Sequence, residues 1–94
     1  MVDPYEDILE KGYKLRTFSE HVDEEELVWH RDENDREIKI LEGVGWQLQM
    51  DNELPVELVK GELYNINAME YHRIIKGDDS LQIQIWENKQ KLRE

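Results

Sequence analysis

The sequence predicts an all-β fold, a sandwich or small barrel of about eight short strands. Three observations carry this. From Tyr13 onward apolar residues recur with period two, the periodic segments are short, and Gly, Asn, Asp and Pro separate them at regular spacing. The segments run from Tyr13 to Phe18, Glu26 to Arg31, Arg36 to Leu41, Trp46 to Met50, Pro55 to Val59, Leu63 to Ile66, His72 to Ile75 and Leu81 to Trp86. The breakers between them include Glu33-Asn34-Asp35, Gly43-Val44-Gly45, Asp51-Asn52, Lys60-Gly61 and Lys76-Gly77-Asp78-Asp79. Ahead of the strands, Asp3-Pro4 reads as a helix start, with Asp as N-cap and Pro at the first helical position. Tyr5, Ile8 and Leu9 would share one face of that short N-terminal helix, and Gly12 would end it.

Ninety-four residues suit one domain, residues 1–94, with the barrel core at about 13–87. Apolar residues make up 38% and charged residues 37%, polar for a globular chain yet sufficient to form a core. The net charge of −11 argues against nucleic acid and anionic membrane surfaces, both of which attract clustered Lys and Arg. The absence of cysteine removes disulfides, thiolate nucleophiles and Cys-ligated metal centres. The acidic start lacks a secretion pattern, and no apolar run approaches the ~20 residues of a membrane span. A soluble, cytoplasmic protein is expected.

Alternation assigns faces, because successive side chains of a strand point to opposite sides. Arg36, Ile38 and Ile40 oppose Glu37 and Lys39, and the two isoleucines carry Arg36 inward with them. Val28, His30 and Asp32 oppose Leu27, Trp29 and Arg31, which alone does not decide the inner face. Gln47, Gln49, Gln82 and Gln84 alternate with Leu48, Met50, Ile83 and Ile85, giving one solvated and one packed sheet face; hydrogen bonding to a sugar is the alternative. Trp29, Trp46 and Trp86 read first as core or dimer-face residues and second as pocket residues. Glu70 is a candidate acid or base by its place beside His72.

The segment from His30 to Gly43 resembles the first cupin motif, His-x-His, three or four residues, Glu, six residues, Gly. Here it reads His30-Arg31-Asp32, Glu33-Asn34-Asp35, Arg36, then six residues to Gly43. The segment from Gly61 to Lys76 is similar to the second motif, with Gly61 and His72 matching and Asn67, Met69 and Lys76 standing where that motif has Pro, Gly and Asn. The resemblance covers about residues 26–87 and implies a double-stranded β-helix, the jelly-roll barrel of the cupin superfamily.

That resemblance also implies a pocket formed by His30, Asp32, Arg36 and His72. Metal-binding cupins use two His and a Glu of the first motif and a His of the second. Carried over by position, His30 and His72 remain, Asp32 replaces a histidine and Arg36 stands at the Glu position. A guanidinium has no lone pair to donate, so the four-ligand centre is excluded. Glu37 could replace it only by turning from the outer face. What survives is His30, Asp32 and His72, a two-His-one-carboxylate set suited to Fe, Mn, Ni or Zn. The bland alternative is an Asp32–Arg36 ion pair without metal, which removes the cost of burying either charge alone. A 2-oxoglutarate oxygenase is disfavoured, since position 82, where that class has its Arg, is Gln.

The functional expectation is a small-molecule-binding protein that takes a small polar or anionic ligand in its barrel. A minimal metal-dependent oxygenase or isomerase using His30, Asp32 and His72 is the second reading, and a structural or interaction module is the third. Open sheet edges make a homodimer the expected assembly.

Overall fold

Along Leu81 to Trp86 the odd positions Leu81, Ile83 and Ile85 are buried and the even ones half-buried, the pattern of a strand with one face on a core. The computed structural model describes residues 3–88. Its elements are β1 (Glu6–Leu9), β2 (Lys14–Phe18), a single 3₁₀ turn (Glu24–Glu26), β3 (Asp35–Glu42), β4 (Gln47–Met50), β5 (Val56–Glu57), β6 (Leu63–Ile66), β7 (His72–Ile75) and β8 (Leu81–Asn88). The strands form a five-stranded sheet in the order β1-β2-β8-β3-β6 and a three-stranded sheet in the order β5-β4-β7, with every pairing antiparallel. The two inner faces enclose Phe18, Ile38, Ile40, Trp46, Leu48, Leu58, Ile66 and the three apolar residues of β8. This is the all-β jelly-roll arrangement that the sequence predicts.

Two local expectations are corrected. The N-terminal helix is absent, and Glu6–Leu9 is instead strand β1, paired antiparallel with β2. One or two isolated helical turns cannot repay their nucleation cost. The strand pairing instead places Asp7 opposite Arg16, where two hydrogen bonds of 2.8 and 2.9 Å join their side chains. The expected strand from Glu26 to Arg31 is likewise not formed. Asp23 caps the 3₁₀ turn by accepting from the Glu25 amide, and only His30 beyond it pairs with a strand, through an isolated bridge to His72.

Trp46 is fully buried, and its indole N–H donates to the Asp79 carbonyl at 2.8 Å. Gly77 is what allows this approach, since a Cβ there would collide with the Trp46 side chain and the Val44 carbonyl. Beyond that, no helix among the described residues is long and apolar enough to cross a membrane.

The Asp7–Arg16 pair gives the fold a pH dependence. The hydrogen bond from Arg16 holds the Asp7 carboxyl below the ordinary value of 3.8, against a smaller opposing effect of burial. A depressed acid contributes stability that is complete above its unfolded pKa and is lost as pH falls through the folded one. The difference in urea midpoint between the native chain and Asp7→Asn should therefore be larger at pH 5 than at pH 3. A difference that stays constant across that interval would show that the pair does not titrate as described.

Candidate functional site

The site forms where the chain leading into β3 crosses the start of β7. His30 and His72 exchange two backbone hydrogen bonds, of 3.0 and 2.8 Å, and this bridge brings their imidazoles to 4.4 Å between ring centres. Each imidazole is then oriented by a carbonyl two residues upstream: His30 Nδ1 lies 3.0 Å from the Val28 oxygen and His72 Nδ1 2.9 Å from the Glu70 oxygen. A carbonyl can only accept, so in the neutral form of each ring Nδ1 carries the proton and Nε2 keeps its lone pair.

His72 is buried. Burial foremost, aided by the charges of His30 and Arg36, holds its imidazole below the ordinary histidine range, although the Glu70 carbonyl and Asp32 act the other way. The ring is therefore a neutral donor at pH 7. Asp32 completes the cluster. Its Oδ2 lies 3.3 Å from His72 Nε2, and one ligand atom from each of His30, Asp32 and His72 falls within 4.8 Å of the others.

Arg36 is the second residue of β3 and points inward with Ile38, as the alternation requires. Its main partner is one the sequence reading missed. Nε and Nη2 lie 3.0 and 2.9 Å from Glu87 Oε2, whereas Nη1 only approaches Asp32 Oδ2, at 3.3 Å and without hydrogen-bond geometry. The Asp32–Arg36 proximity is thus real, yet Asp32 Oδ2 remains a buried carboxylate oxygen with no hydrogen-bond partner among the described residues. Such an atom is costly unless something else occupies its lone pairs. The separation of 3.3 Å from His72 Nε2 is close to the ~3 Å between neighbouring ligands on one metal with bonds of about 2.1 Å.

These groups line a cavity of about 230 Å³ together with residues of both sheets. Arg16, also missed, lies on its wall, with its guanidinium 3.6 Å from the centre of the Tyr5 ring. Both omissions had a legible signal. Arg16 is two residues before inward Phe18, and Glu87 is two residues beyond inward Ile85.

No protein-family model and no curated protein matches the sequence. Solved structures do match in fold. A cupin-2 domain protein from Shewanella frigidimarina superposes with a TM-score of 0.62 at 24% identity, covering 86% of this chain and 76% of that one. The chain has a cupin fold. A Streptococcus pyogenes protein of unknown function gives 0.66 at 17% identity over 98% and 80% of the two chains. The iron(II) form of HppE with its substrate gives 0.66 at 10% identity, over 94% of this chain and 55% of that one.

Within the cupin barrel the departures from the usual motifs acquire physical meaning. Met69 occupies the position where the second motif has glycine and takes φ +65, a conformation that side chains other than glycine's seldom adopt. The Met69 amide donates to the Asp32 carbonyl at 2.7 Å, and the Ala68 amide to Asp35 Oδ1 at 2.7 Å, so this turn is tied directly to the segment that carries Asp32. Glu37 opposes Asn65 and Trp86 on the other face of β3 and is not in the cluster. Of the tryptophans, Trp46 is core, Trp86 lies against Tyr13 and Trp29 is exposed beneath Arg73. Gln47, Gln49, Gln82 and Gln84 are half-buried, while Leu48, Ile83 and Ile85 are buried as the plain reading expects and Met50 is only half-buried against the core.

Proposed function

We propose that this cupin binds a divalent metal through His30, Asp32 and His72 and takes a small anionic molecule beside it in the barrel, oriented by Arg36. The observation that carries the reading is the buried Asp32 Oδ2, which lacks a hydrogen-bond partner among the described residues and faces the free Nε2 of His72. Two imidazoles and one carboxylate suit Fe(II), Mn(II), Ni(II) or Zn(II) and leave coordination positions open. Arg36 is no ligand, and its pairing with Glu87 offsets the charge it would otherwise set against a cation. A metal held there would supply Lewis-acid polarisation of a bound oxygen, the chemistry on which an oxygenase or isomerase reading would rest.

Metal analysis of protein purified without a His tag tests this. The expected result is one equivalent of a transition metal per chain, removed by chelator and restored by back-titration. Chain that stays metal-free and takes up no added metal, yet binds carboxylates, would leave the ion-pair pocket as the better account. Homodimer formation also remains a proposal, supported by the fully exposed edge strand β1; a monomer by light scattering at high concentration would remove it.

A further inference from the structure

The polar groups around the cavity are unevenly distributed. Away from the His30, Asp32 and His72 cluster the wall is formed largely by Phe18, Ile38, Ile66, Ile74, Ile83 and Ile85, while Arg16 is already bonded to Asp7 and Arg36 to Glu87. A ligand hydroxyl directed at those isoleucines would lose its water without gaining a partner, at a cost on the order of tenfold in affinity for each. The volume of about 230 Å³ is that of about eight waters at ~30 Å³ each, room for a ligand of roughly eight to ten non-hydrogen atoms.

Charge selects the head group. A divalent cation held by Asp32, with Arg36 beside it, Glu87 behind and Lys14 3.5 Å from Glu87, leaves the group positive, which an anionic head group offsets, while a second carboxylate would fall among the isoleucines. Without the cation the same side chains sum to no net charge, and the attraction for an anion is lost.

The geometry points to a small monocarboxylate with a hydrocarbon body as the ligand class, its head at the His30, Asp32 and His72 cluster beside Arg36 and its body against the isoleucine wall. This inference rests on the metal reading above. It narrows the polar or anionic ligand expected from sequence and disfavours a sugar, whose hydroxyls would face apolar side chains.

The test uses the full chain loaded with cobalt(II), with cobalt content measured in the same sample, and calorimetric titration with butyrate, hexanoate and 5-hydroxypentanoate. Hexanoate should bind roughly fifteenfold more tightly than butyrate, since each of its two added methylenes contributes about fourfold on leaving water. 5-Hydroxypentanoate, with the same charge and number of non-hydrogen atoms but a hydroxyl in place of the terminal methyl, should bind at least about tenfold more weakly than hexanoate. Ile74→Ser should reduce the hexanoate preference severalfold without changing cobalt content. Cobalt uptake accompanied by equal affinity for hexanoate and 5-hydroxypentanoate, or by no gain with chain length, would overturn the ligand class alone. Failure to take up cobalt would overturn the metal reading and this inference with it.

Discussion

Asp32→Ala is expected to weaken cobalt(II) or zinc(II) binding by on the order of 100-fold or more while leaving the fold intact. Partners that only orient a ligand already account for about 10- to 100-fold in metal affinity, and Asp32 is proposed as a ligand itself and as the one anionic member of the set. The local structure should survive the change. Arg36 keeps its two contacts to Glu87, both imidazoles keep their carbonyl anchors, and the Asp32 carbonyl still accepts from the Met69 amide. Asp32→Asn separates charge from shape and should lose nearly as much affinity, because an amide oxygen is a poor substitute for a carboxylate on a divalent cation. Calorimetric titration with circular dichroism of the same samples gives both quantities. Native-like affinity in both variants would mean that Asp32 is not a ligand and that its buried oxygen needs another explanation.

Trp46→Ala should be the most damaging single substitution in the core. Replacing a fully buried tryptophan by alanine costs about 3–5 kcal/mol, set against a total of only about 5–15 kcal/mol for a domain. The indole also bonds the Asp79 carbonyl and packs 5.8 Å from the Phe18 ring, so the loss falls on the turn before β8 as well as on the core. With about 4–8 °C of melting temperature per kcal/mol in a chain of this size, the midpoint should fall by roughly 12–40 °C. Trp46→Phe should lose less, because most of the volume remains. A melting temperature within a few degrees of native for Trp46→Ala would show that this end of the barrel repacks more freely than the close approach of Gly77 suggests.

Much of the fold is legible in the chain because strand alternation is a local property. Ile38 and Ile40 fix the inner face of β3, and the same rule carries Arg36 inward, where it is found. The rule extends equally to Arg16 beside Phe18 and to Glu87 beyond Ile85, residues the sequence reading left aside. It fails in two places where local signals compete. Asp3-Pro4 is a sound helix start, but pairing with β2 outweighs so short a helix. Glu26 to Arg31 has the composition of a strand, but three consecutive glutamates behind an Asp cap form a turn, and only His30 finds a partner.

Alternation and breaker spacing therefore specify most of the strands and the inner face of β3, and the motif resemblance supplies the set His30, Asp32, Arg36 and His72. Which charge answers which is settled by register between strands distant in sequence. Arg36 meets Glu87 across 51 positions, and Arg16 meets Asp7 only because β1 is a strand. Periodicity reports the side to which a residue points, whereas pairing reports what stands opposite, and that second quantity exists only once the sheets have closed.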